Sequence, residues 1–139
     1  MNEIILSTIP FLMDGLLMTF KISLLTIFFG SLIGVVVGML RSLDYAVITY
    51  PLGAYIHVLR GTPFLIHLYL VYFMLPMTGI SWLQLEAFPA AVIALSMYTS
   101  TYVAEIVRSA IQAVPRGQSE AARSTGMTAL QSMWYVVLP

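Results

Sequence analysis

The sequence predicts an all-α integral membrane protein, a bundle of transmembrane helices, and three features carry that prediction. Of the 139 residues 60% are hydrophobic and 9% are charged, against about 25% charged in an ordinary soluble domain. A soluble chain this short has too little interior to hide so much apolar surface, so the composition asks for lipid. The mean hydropathy of +0.93 is concentrated in three long stretches. The third feature is a polar segment at residues 115–126, PRGQSEAARSTG, which holds three charges and a run of good helix formers between apolar flanks. That segment reads as a docking element at the surface of a membrane protein.

The same composition excludes several classes. Six basic and six acidic residues balance, so neither nucleic acid nor an acidic surface is implied as a partner. There is no cysteine, which removes disulfides and thiolate chemistry. The start, MNEIILSTIP, has no basic region and no small-residue cleavage site, and so reads as a retained segment rather than a cleaved signal.

Residues 1–10, with Glu3 and no base, read as a lip before the first span. Pro10 suits the first turn of a helix, where its missing N–H costs nothing. The first span covers about residues 11–40, and its charge-free part, 22–40, is 19 residues long, near the roughly 20 that cross the hydrocarbon. Gly30, Gly34 and Gly38 recur every fourth residue on one face, which permits close approach to another helix. Asp14 and Lys21 fall at headgroup level, with Lys21 snorkelling along its stem.

A turn-like link at 41–50 carries Arg41 and Asp44. Pro51 opens a second apolar stretch, about 51–75, interrupted by Arg60-Gly61-Thr62-Pro63. The proline removes a helical hydrogen bond and bends the axis. Spacing alone leaves open one kinked span or an interfacial helix feeding a span. His57 and His67 read as hydrogen-bonded packing residues rather than ligands. Residues 76–87 hold Trp82 and Glu86 but no base and read as an outside loop, with Trp82 at the lipid boundary. The third span covers about 88–107. Ser96, Thr99, Ser100 and Tyr102 in its back half either bond within the bundle or line a wet path. Glu105 and Arg108, three apart, can pair.

Orientation follows from the bases. Arg41, Arg60, Arg108, Arg116 and Arg123 flank two of the connections, and the loop around Trp82 has none. The positive-inside rule puts the N-terminus outside and the loop at 109–133 in the cytoplasm. Within that loop a short helix is expected over 118–123, a bend at Gly126 and a second helix capped by Thr128. Residues 134–139 are apolar and read as the start of a fourth crossing.

Glu120-Ala121-Ala122, then Gly126, then Val136, Leu138 and Pro139 resemble the EAA loop of ABC importer permeases. That pattern runs EAA, three residues, Gly, nine residues, Ile, one residue, Leu-Pro, and here Val136 replaces the isoleucine. Further stretches resemble the polar amino acid uptake branch of that family: Gly15 with Thr19, YIHVLRGTP at 55–63, YFMLP at 72–76, YVAEIVR at 102–108 and IQAVPRGQ at 111–118. His67 departs from it, since relatives often carry glutamine there. The resemblance implies a type I ABC importer (MetI-like) bundle, incomplete in this chain, which looks truncated after the motif.

It also implies roles and partners. Gln118, Glu120, Ala121 and Ala122 would seat in a groove of a cytoplasmic ABC ATPase, with Gly126 as the bend. Arg60, Gly61, Thr62, Pro63, Glu105 and Arg108 would brace the cytoplasmic mouth. Ser96, Thr99, Ser100 and Tyr102 are candidates for the substrate path. A second permease subunit and an extracytoplasmic amino-acid-binding protein would complete the system in the cell (inner) membrane. No catalytic residue, metal ligand or cofactor is expected on this chain, because it lacks a Gly-rich Lys-Ser/Thr phosphate loop; ATP and Mg would belong to the partner ATPase. A permease for another small solute and a membrane assembly protein that transports nothing are the alternatives. A membrane enzyme would need a nucleophile or metal cluster that the two histidines, ten residues apart, do not make.

Overall fold

A computed structural model describes residues 2–43 and 45–138, with side chains from Thr8 onward. Asp44, Pro139 and the side chain of Glu3, all used in reading the sequence, lie outside the described residues.

The architecture is helical, and its spine is a pair of long helices, α1 (Asn2–Arg41) and α4 (Ala87–Ala113). They run side by side in the same direction. Gly30 faces Ser96 and Thr99, Gly34 faces Ser100 and Val103, and Gly38 faces Ala104 and Val107. A Cβ at Gly34 would stand 2.5 Å from the Val103 Cβ, and one at Gly38 would stand 2.6 Å from the Ala104 carbonyl oxygen. The glycine stripe is therefore a backbone-contact seam. The answering face of α4 is also mostly small, with Ser96, Ser100 and Ala104 buried along it. In lipid, helices associate by such close packing rather than by hiding apolar side chains.

The first helix begins earlier than expected. α1 starts at Asn2 and carries Pro10 within it, so residues 2–10 are no separate lip. Pro10 removes one helical hydrogen bond, and the helix continues past it because the bonds on either side are kept. Asp14 and Lys21 are exposed on this free first half.

The link after α1 is shorter than expected too. α2 (Ala46–Gly61) begins five residues earlier than the sequence reading and takes Pro51 into its interior. It ends at Thr62, and Pro63 starts α3 (Phe64–Tyr69), which runs on through a wide turn closed by Leu75 N–H on the Leu70 carbonyl. The two halves, Ala46–Gly61 and Phe64–Thr78, meet at 107°, far more than the kink of a continuous span.

α3 lies antiparallel along the first half of α4. Phe64 and His67 sit against the Tyr98 ring, and Val71 packs with Ala90 and Ala94. α2 crosses the opposite end of the pair, where Ile56 joins Val37 and Ala104. Beyond these two small clusters the apolar surface is open: Phe11 is 77% exposed and Val47 87%, as suits lipid and neighbouring helices rather than water. Thr8–Arg41 and Ala87–Ala113 are each long and apolar enough to cross a membrane, and the bent pair is a third candidate.

After α4 come α5 (Arg116–Ser124) and α6 (Ala129–Ser132), the helix–turn–helix expected from the sequence. A last wide turn covers Met133–Val137.

Candidate functional site

The polar loop is built by local hydrogen bonds. α5 ends in a glycine cap: Gly126 takes φ +91°, its N–H donates to the Arg123 carbonyl at 3.0 Å, and Met127 N–H donates to the Ala122 carbonyl at 3.2 Å. This pair of bonds is the Schellman arrangement, which turns the chain sharply while satisfying carbonyls of the last turn. Two residues later Thr128 caps α6. Gln131 N–H donates to Thr128 Oγ1 at 3.3 Å, and Thr128 N–H donates back to Gln131 Oε1 at 2.9 Å, a capping box. The two helices are thus joined by a stiff corner rather than by a slack loop.

The motif residues divide between the faces of α5. Arg116, Ser119, Glu120 and Arg123 share one face and line a polar recess of about 530 Å³ with Ser42 and Gln112. Gln118 and Ala121 point the other way, flanked by Gly117 and Ser124, and all four are exposed. That outer face is nearly smooth. Ala122 is turned inward and only 7% exposed. Of the residues expected to seat on a partner, Gln118 and Ala121 are therefore open, Glu120 looks into the recess, Ala122 serves the chain's own packing and Gly126 makes the bend.

A second polar group stands where α1, α2 and α4 meet. Arg41 Nη1 donates to Glu105 Oε2 at 2.7 Å, and Arg108 Nη2 donates to Glu105 Oε1 at 3.1 Å. One carboxylate is held between two guanidiniums. The expected Glu105–Arg108 pair is present, but Arg41 was missed. The register that sets Gly38 against Ala104 and Val107 brings Arg41 beside Glu105 and Arg108, and the glycine stripe by itself does not fix that register. A cavity of about 480 Å³ opens here, lined by Arg41, Gly53, His57, Arg60, Gly61 and Glu105. The Arg60 guanidinium lies 4.7 Å from the Tyr102 ring centroid, and the Tyr102 and Tyr98 hydroxyls are 3.0 Å apart.

Glu105→Gln is expected to weaken this junction. Both arginines would keep their charge and lose the carboxylate. With Glu105 35% exposed, water compensates in part, so a loss of about 1–2 kcal/mol is expected. A lower melting temperature in detergent is the readout, and an unchanged one counts against the junction's role.

The hydroxyls of α4 are placed unequally. Ser100 is fully buried; it donates to the Met97 carbonyl at 2.7 Å and meets the Tyr55 hydroxyl at 2.8 Å. Tyr55, which the sequence reading did not single out, also reaches the Met97 carbonyl at 3.0 Å. Thr99 packs over Gly30. Ser96 is buried, and its Oγ has no partner among the described residues. Of the four candidate path residues Tyr102 is the exposed one, at 41%. A larger cavity of about 660 Å³ lies at the far end, between α1, α3 and the start of α4. Its lining, including Met18, Leu68, Phe73 and Phe88, is mostly apolar, with Glu86 the one charged residue among it.

Two parallel span-length helices, a sharply bent segment between them and a stiff capped corner at one end define an integral membrane bundle of the type I importer (MetI-like) class. The chain belongs to the family described as binding-protein-dependent transport system inner membrane component, which matches residues 30–139. It is 36% identical over 138 residues to the probable amino-acid ABC transporter permease protein YckA of Bacillus subtilis (strain 168), covering 99% of this chain and 60% of that protein. It is 34% identical over 140 residues to the glutamate/aspartate import permease protein GltK of Escherichia coli O157:H7, covering 97% and 62%. Among solved structures, an amino acid ABC transporter crystallised with histidines matches with a TM-score of 0.83 at 41% identity, over 97% of this chain and 62% of that one. The MetNI methionine transporter matches with a TM-score of 0.75 at 28% identity, over 96% and 63%. The chain thus spans about three-fifths of the length of these curated relatives.

Proposed function

We propose that this chain is the membrane-spanning permease subunit of an ATP-driven importer for a polar amino acid. The observation that carries this reading is the capped α5–Gly126–α6 corner, whose residues have the EAA spacing. Support for an amino acid as cargo comes from the relatives, whose names include glutamine, arginine and glutamate/aspartate permeases. The permease breaks no bond itself. ATP and Mg are bound by a separate ABC ATPase, a second permease subunit completes the path, and an extracytoplasmic binding protein delivers the amino acid.

The mechanism is mechanical. When ATP draws the motor subunits together, the groove holding α5 moves, and the stiff corner passes that motion to the span that follows instead of absorbing it. Gln118 and Ala121 supply the smooth contact, and Glu120 the charged edge beside Arg116 and Arg123. Arg60 to Pro63 and Glu105 with Arg108 brace the mouth at the same end of the bundle.

The topology is N-terminus outside, corner inside. Because α1 and α4 are parallel, the connection between them has to return across the bilayer, which accords with three crossings before the loop. The bend leaves α2 lying across the cytoplasmic end and gives the return crossing to the segment after Pro63. Arg41, Arg108, Arg116 and Arg123 mark the inner side. Cysteines introduced singly at Ser119 and Ser81 test this in whole cells. An impermeant reagent should label position 81 and spare 119, and the reverse pattern overturns the orientation. Uptake of labelled amino acids by proteoliposomes holding the permease, ATPase and binding protein tests the function, and ATP-independent flux would contradict it.

A further inference from the structure

A hydrogen-bond relay crosses the break between α2 and α3. Thr62 Oγ1 donates to the Val58 carbonyl at 2.8 Å and also stands 2.7 Å from Nε2 of His67. A threonine hydroxyl has one proton, and a carbonyl oxygen can only accept. With that proton committed to Val58, Thr62 Oγ1 must accept, so the His67 ring carries its proton on Nε2. Nδ1 is buried without a partner among the described residues, a setting that offers nothing to an N–H and favours the bare nitrogen there. The side chain is well enclosed, with His67 only 7% exposed.

We infer that His67 and Thr62 form a latch that sets the angle of the α2–α3 break, and through it the seat of Arg60 on Tyr102. Pro63 has no N–H, so the Leu59 carbonyl lacks its helical donor and the helical bonding is interrupted at Thr62–Pro63. The relay bridges that gap from the last turn of α2 to the first turn of α3. On its other side the His67 ring lies 6.0 Å from the Tyr98 ring, whose hydroxyl meets Tyr102 beneath Arg60. Histidine, threonine, the two tyrosines and the arginine therefore make one continuous set of contacts. The linked Val58–Thr62–His67 hydrogen bonds strengthen one another and, with the ring contacts beyond them, favour a single arrangement, where an unlatched hinge would sample several angles. His67 and Thr62 act as positioning residues, since neither needs to touch the cargo.

The test uses the complete transporter in liposomes, and its uptake readout rests on the permease reading. His67→Leu and Thr62→Val each remove one end of the relay, while His67→Gln keeps an N–H donor. Each apolar variant is expected to lower uptake about tenfold, the scale of one lost buried bond. The double variant should be no worse than either single, because both break the same link, and His67→Gln should retain most of the activity. Additive losses, or a glutamine variant as impaired as the leucine one, overturn the latch. Two readouts stand without any transport. Spin labels at exposed Tyr50 and Tyr69 should give one narrow distance that broadens in Thr62→Val. Nitrogen-15 spectra of His67 should show Nε2 protonated and Nδ1 bare. An unbroadened distance or a proton on Nδ1 refutes the inference even if uptake was never detected.

Discussion

Gly34→Ala is expected to push α1 and α4 apart and destabilise the protein. Two effects of opposite sign compete at this site. In a helix interior alanine is favoured over glycine by about 0.5–1 kcal/mol, so propensity alone predicts a gain. Against it, the new methyl would lie 2.5 Å from the Val103 Cβ and 2.8 Å from the Ser100 carbonyl oxygen. Both are rooted in the backbone of α4, and neither can swing away. Overpacking of this kind costs about 1–3 kcal/mol and more where backbone must move, so the clash wins. Gly38→Ala should behave alike, with 2.6 Å to the Ala104 carbonyl oxygen. Gly30→Ala, opposite the Thr99 Cβ at 2.9 Å, should be milder. Gly15→Ala is the control. Nothing lies within 4 Å of that position, so propensity acts alone and stability should hold or rise slightly. Melting temperatures measured in detergent separate the four, and a Gly34 variant as stable as the Gly15 one would refute the seam.

Gly126→Leu is expected to cut uptake by about tenfold or more while the protein still inserts in the membrane. Open space surrounds this glycine, so no clash contributes and the effect is conformational. At φ +91° a leucine pays roughly 1–2 kcal/mol for left-handed backbone, and it escapes by opening the corner between α5 and α6. A corner that yields cannot pass on the motor's motion. Gly126→Asn, a residue that visits the left-handed region more readily, should keep more of the uptake. Transport and ATP hydrolysis measured together in proteoliposomes decide the matter: equal uptake by the leucine variant and the parent would show that the corner transmits nothing. Glu120→Ala in the same assay separates the charged edge of α5 from the bend, and undiminished uptake there would remove Glu120 from the coupling surface.

The local features were legible in the residues themselves. Gly126 and Thr128 announced the corner because a positive φ and a helix cap are properties of single residues and their immediate neighbours. The glycine stripe declared a packing face through its period. Glu105 and Arg108 could be paired from a spacing of three. What stayed hidden depends on how distant segments lie against each other. Arg41 and Glu105 are 64 residues apart, Tyr55 and Ser100 are 45 apart, and no periodicity connects either pair. The helix boundaries at Pro10 and Pro51 were misplaced because a proline's cost is weighed against surroundings that a linear string does not display.

By itself, then, the sequence determined a lipid-dwelling helical chain with a polar loop of a recognisable spacing, since hydrophobicity, charge and backbone preference are set residue by residue. The tertiary structure alone decided that α1 and α4 run parallel, that the chain turns by 107° at Thr62–Pro63, and that Glu120 rather than Ala121 lines a recess against α4 and Ser42. Those outcomes follow from which faces meet, and a meeting of faces is a property of pairs of helices that no single stretch contains.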